Sequence, residues 1–138
     1  MFISYYDVTS FKILPIVVQN KTNCIFEFQT LHLLEMGDPD TTRLEYTIKA
    51  CSTEAPGHPA ENLSNFTTSG WRSCDLCDYP QSIICKLATE AELRRIQLLG
   101  HNFLIPQRVV LYVGNFHNKY EKHIWKKIGF VTFSGFYR

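Results

Sequence analysis

Apolar positions along this chain recur in short runs, many with period two, and clusters of Gly, Pro, Asp and Asn interrupt them. Phe11-Lys-Ile-Leu-Pro-Ile-Val-Val18 and Cys24-Ile-Phe-Glu-Phe-Gln-Thr-Leu-His-Leu-Leu34 flank the polar Gln19-Asn-Lys-Thr-Asn23 and read as two strands. Proline has no N–H for a sheet ladder, so Pro15 places the first strand at an edge or beside a bulge. Met36-Gly-Asp-Pro-Asp-Thr41 has turn chemistry, and Leu44-Glu-Tyr-Thr-Ile-Lys-Ala50 alternates as a third strand. Residues 52–69, with Pro56, Gly57 and Pro59, form a long polar connection. Ile83 to Leu87, Glu92 to Leu99, Val109 to Val113 and Phe130 to Phe133 predict further strands. Thr89 to Leu99 is contested, because Glu90, Ala91, Glu92, Leu93 and Arg94 favour helix by propensity; Leu93, Ile96, Leu98 and Gly100 favour a strand there. Tyr120 to Lys127 is spaced for one or two short helical turns.

Composition supports a β-rich fold. The chain is 45% hydrophobic, 14% aromatic and 20% charged, too apolar for disorder and rich in residues that suit half-buried strands. At 138 residues it fits a single domain with a core that needs no staple. Lys plus Arg total 14 against 13 acidic residues, so a net charge of +1 provides no global attraction for nucleic acid or an anionic membrane, and neither is expected as a partner. No apolar run is long enough for a transmembrane helix, and no secretory signal pattern is present. Five cysteines without framework spacing agree with a reducing compartment; the sequons at Asn20, Asn62 and Asn65 carry no weight there.

Several segments carry a resemblance. His58-Pro-Ala-Glu-Asn-Leu63, Ser69-Gly-Trp-Arg-Ser73, Tyr79-Pro-Gln81, Leu93-Arg-Arg-Ile-Gln-Leu-Leu-Gly-His101 and Lys126-Lys-Ile-Gly-Phe-Val131 resemble the discoidin-like or galactose-binding-like jelly roll. They are most similar to the N-terminal domain of the centrosomal protein of 104 kDa family, with the small β-sandwich subunit of intraflagellar transport a more distant likeness. The resemblance runs from Leu44 to Val131. It implies an all-β jelly-roll β-sandwich, an ordered 52–69 loop against it, and a buried structural Trp71. It also implies a non-enzymatic interaction or scaffold module of the cytoplasm and cytoskeleton, at the centrosome or cilium. The resembled domain continues beyond its Phe130 strand with two more strands, and residues 1–40, including Gly37-Asp-Pro39, resemble those strands. The expected arrangement is therefore one domain over 1–138, circularly permuted, with 1–40 closing the main portion 44–138.

Candidate chemistry is sparse. Cys74-Asp-Leu-Cys77 has metal-ligand spacing but lacks a second ligand pair, since Cys85 lies in an apolar run; no metal and no cofactor are expected. His58, Glu61 and Asn62 suggest the alternative function, a calcium- or carbohydrate-binding module using the loop from His58 to Ser73, although Ser64-Asn65-Phe66 stands where many discoidin domains carry an Ile-Asp-Gly turn. No triad, phosphate loop or carboxylate pair marks catalytic residues, so no enzyme is expected. Lys119, Tyr120, Lys122, Trp125 and Lys126 form the most basic aromatic segment and are the candidate contacts for other proteins, centrosomal or ciliary, with acidic tubulin tails among them.

Overall fold

The computed structural model describes residues 2–3, 10–19, 27–35, 43–65, 69–100, 104, 106–115 and 125–133, with backbone alone for 2–3, 10–14, 27–35 and 92–95. Its strands are β1 (Phe2–Ile3), β2 (Ser10–Gln19), β3 (Glu27–Glu35), β4 (Tyr46–Cys51), β5 (Trp71–Arg72), β6 (Gln81–Gly100), β7 (Arg108–Val113) and β8 (Lys126–Thr132). Every pairing between them is antiparallel. The protein is all-β.

Strand β6 organises the molecule. Its first half lies between β4 and β2, and the ladder continues through β7 to β8. Its second half lies between β1 and β3, and β3 continues to β5. One strand of 20 residues thus passes from one sheet into the other. Against β2 it bows outward: Phe11 opposes Ala91 but Ile13 opposes Lys86, so two steps on β2 match five on β6. Irregularities of this kind let a strand turn a corner between packed sheets. Separate strands expected at Ile83 to Leu87 and Glu92 to Leu99 are therefore one. Tertiary pairing on both sides outweighs the helix propensity of Glu90 to Arg94, which is worth only tenths of a kcal/mol per residue (~0.5).

A single apolar cluster joins both sheets. Ile16, Val18, Tyr46, Ile83, Cys85, Leu87, Val109, Leu111 and Val113 come from one, and Trp71, Ile96 and Leu98 from the other. Alternation explains the selection: on β7, Val109, Leu111 and Val113 enter this core while Arg108, Val110 and Tyr112 occupy the outer face.

Of the two expectations for the Pro15 strand, an edge or a bulge, the structure meets the second and not the first. Strand β2 is interior, with β6 on one side and β7 on the other; Pro15 opposes Ile84 of β6 and lies just beyond Ile16↔Leu111, the last pair with β7. The missing N–H is tolerated because β2 is locally one-sided there, and the register shift between Phe11 and Ile13 is close by. The helical turns expected over Tyr120 to Lys127 are corrected at their end: Lys126 and Lys127 belong to β8, held by pairing with Val113 and Tyr112. Residues 120–124 of that expectation lie outside the described residues, as do Met1 and Arg138.

Candidate functional site

The long loop after β4 is built around Thr53. Its carbonyl accepts the Trp71 indole N–H at 3.0 Å and the Cys51 thiol at 3.2 Å, while its Oγ1 donates to Gln81 Oε1 at 2.6 Å and accepts the Cys74 N–H at 3.3 Å. Trp71 is fully buried at 0% exposure, so its large apolar body is removed from water and its one donor is satisfied. Gln81, also buried, donates in turn to the Asp78 carbonyl. Thr53 thereby ties the start of β6 to β5 and to the segment after it.

Several neighbouring polar groups are bonded in the same manner, while His58 Nδ1, Arg72 Nε and Ser73 Oγ are buried without a hydrogen-bond partner. Ala60 N–H donates to Glu54 Oε1 at 2.8 Å as the 3₁₀ turn Ala60–Leu63 begins, and Asn62 Nδ2 donates to the Gly70 carbonyl at 3.2 Å. Arg72 O and N bond Ala55 N and His58 O at 2.8 and 3.3 Å, and Tyr46 OH donates to the Leu63 carbonyl at 2.6 Å. Burial raises the Tyr46 hydroxyl pKa, with the nearby Cys85 adding to it. Glu54 and Asn62 thus act as internal braces of the loop proposed for calcium or carbohydrate. Among the described residues no group of three or more His, Cys, Asp and Glu side chains is placed to hold a metal ion.

A concavity of about 490 Å³ beside β4 is lined by Lys49, Cys51, Thr53, Glu54 and Glu61 among others. Its Cys51 thiol is the group nearest to a nucleophile in type. Burial, reinforced by Glu54, pushes that thiol up to about 12, so at neutral pH it stays protonated and chemically quiet. Cys85, in the core, is likewise pushed up to about 12, by burial first and by Cys51 second. Cys51, Cys74, Cys77 and Cys85 are all free of disulfides. Leu76, between Cys74 and Cys77, stands 83% exposed with a φ of 57°.

The opposite edge of the same sheet has a different character. Strand β8 pairs with β7 alone among the described residues. A register shift between Leu111 and Tyr112 sets Lys127 opposite Tyr112 and Phe130 opposite Val110, which puts Lys127 and Phe130 on the same outer face as Arg108. The Arg108 guanidinium carbon lies 4.0 Å, and the Lys127 ammonium 5.2 Å, from the centre of the Phe130 ring. Both distances suit a cation over an aromatic face. Phe130 is nonetheless 53% exposed, and Trp125, just before the strand, is 36% exposed.

Of the residues expected to meet a partner, Trp125 and Lys126 stand exposed at the start of β8, and Lys119, Tyr120 and Lys122 lie outside the described residues. Arg108 and Phe130 were not among the expected residues. Each strand alone shows ordinary alternation; their meeting depends on the β7–β8 register, and the one available signal was a basic residue opening the β7 run.

Known proteins place this chain. The sequence profile for the N-terminal domain of the centrosomal protein CEP104 matches residues 70–136. The chain is 29% identical over 96 residues to the centrosomal protein of 104 kDa of Homo sapiens, and 30% identical over 96 residues to that of Rattus norvegicus, with 65% of this chain and 10% of each relative covered. The matched region therefore spans about a tenth of the length of these relatives. No solved structure matches the chain significantly. Residues 70–136, which run from just before the buried Trp71 past the open strand β8, are similar to the N-terminal domain of the centrosomal protein CEP104.

Proposed function

We propose that this β-sandwich is a non-enzymatic protein-interaction module of a centrosomal or ciliary protein, working in the cytoskeleton by presenting an edge of its sheet to other proteins. The exposed basic aromatic surface of β8, inside the family-matched segment, is the observation that supports the reading most strongly. Exposed aromatics beside basic residues are the composition that anchors protein interfaces. The test is affinity capture with the folded domain from ciliated cells. Recovery of centrosomal or ciliary proteins, reduced by charge reversal at Lys122 and Lys126 in a protein that melts like wild type, is expected. Recovery of no such partner would overturn the reading.

Chain order belongs to the same proposal. The family match begins at residue 70, yet β2 and β3, earlier in the sequence, pair with β6, β7 and β5 inside the matched segment. We infer that residues 1–40 supply closing strands in permuted order. Joining the chain ends by a flexible linker and reopening the chain in the 36–42 segment should then leave a cooperatively folding protein; loss of the folded state would count against the permutation.

A further inference from the structure

The β7–β8 ladder decides which backbone groups of β8 remain for a partner. Phe133 N–H donates to the Gln107 carbonyl at 2.9 Å, extending the register Arg108↔Thr132 and Val109↔Val131 by one pair. In an antiparallel ladder hydrogen-bonded pairs alternate with non-bonded ones. Val131 therefore turns its N–H and C=O toward β7, and Phe130 and Thr132 turn theirs the other way, along the side of β8 where no described strand lies. The side chains of these same two residues are exposed on the outer face.

We propose that this edge receives an acidic, extended peptide segment as an added antiparallel or parallel strand, bonded to the main chain of Phe130 and Thr132. The proposal rests on the interaction-module reading and specifies its partner class. Charge selects the sign of the partner: β7 and β8 carry Arg108, Lys126 and Lys127 and no Asp or Glu. Arg108 and Lys127 are gathered on the Phe130 ring, and Arg108 Nε is buried with no hydrogen-bond partner. Outer-face positions of an incoming strand recur every second residue. An apolar side chain at one of them would lie along Phe130, and carboxylates at its neighbours would lie by the two cations and form charge-assisted bonds. A basic segment would meet like charge at the same places.

Edge lysines also guard sheets against unwanted pairing. That role is served by either sign of charge, so charge reversal separates the two explanations. The folded protein is titrated with short synthetic peptides, alternating Val and Glu, alternating Val and Lys, and alternating Val and Glu with every second amide N-methylated, while amide chemical shifts are followed. The Val-Glu peptide is expected to move the Phe130 and Thr132 amides and to bind about tenfold more tightly than the Val-Lys peptide, a difference of about 1.4 kcal/mol. N-methylation should abolish that binding, and Lys127→Glu should remove most of the preference for the Val-Glu peptide while leaving the melting temperature in place. Equal binding by the N-methylated peptide, no preference for Glu over Lys, or no shift at Phe130 and Thr132 with any peptide would overturn the proposal. Capture of centrosomal proteins undiminished by Lys127→Glu would also overturn it while leaving the module reading standing, since that reading falls only when the unaltered domain captures none.

Discussion

Strands β4 and β8 lie at opposite edges of one sheet, and the chain treats them in opposite ways. At the β4 side, the loop that follows turns its polar groups inward: Thr53 alone serves Trp71, Cys51, Gln81 and Cys74. Ser52 adds a second tie there, with its N–H on the Ser82 carbonyl at 2.9 Å and its Oγ accepting Ser82 N–H at 2.9 Å. At the β8 side, the cations rest on an exposed ring and alternate backbone groups face outward. Groups already paired inside a protein contribute to its stability and have little left for a ligand. Groups held in place but unpaired can bind at low ordering cost. The loop that resembles a ligand site thus holds Thr53, Glu54 and Asn62 in internal bonds, and the edge strand is the surface proposed for recognition.

The comparison can be broken most forcefully at Trp71. Trp71→Ala should destabilise the fold by about 3 to 5 kcal/mol, the range for truncating a large buried aromatic, as read by denaturant unfolding. A wild-type midpoint would mean the loop is not a structural anchor. Thr53→Val keeps the shape but removes the hydroxyl, leaving Gln81 Oε1 and the Cys74 N–H without that partner. Its expected cost is about 1 to 3 kcal/mol, measured in the same way, and a neutral result would show that Thr53 is not the hub. On the other edge, Lys126→Glu and Lys127→Glu should each change stability by less than about 0.5 kcal/mol, as exposed substitutions usually do. A large loss there would mean that β8 is integral to the core and poorly suited to a partner.

Much of this contrast was legible along the chain, and its limits have physical causes. Alternation marked β4 because its faces see different environments, apolar runs marked β2 and β7, and the Ser69 to Ser73 segment pointed to a buried Trp71. The unbroken course of β6 was hidden, since Glu90 to Arg94 suit a helix locally and pairing with β2 and β3 holds the segment extended. Pro15 suggested an edge or a bulge; β2 is interior and carries the irregularity, because sequence shows the missing donor but not the place where β7 pairing stops. On the β8 side, Trp125 and Lys126 were singled out by their chemistry, and the structure shows them exposed. Arg108 and Phe130 are 22 positions apart in sequence by their numbering and meet only through cross-strand register, a property of the fold and not of either run.

Residue-resolved amide hydrogen exchange on the free protein tests the contrast between the two edges most directly. The expected pattern on β8 is a slow Val131 amide between fast Phe130 and Thr132 amides, with the Trp71 indole N–H and the Ala60 and Cys74 amides slow on the other side. Phe130 and Thr132 protected as strongly as Val131 would show that the β8 edge is already occupied and would contradict its assignment as the recognition surface.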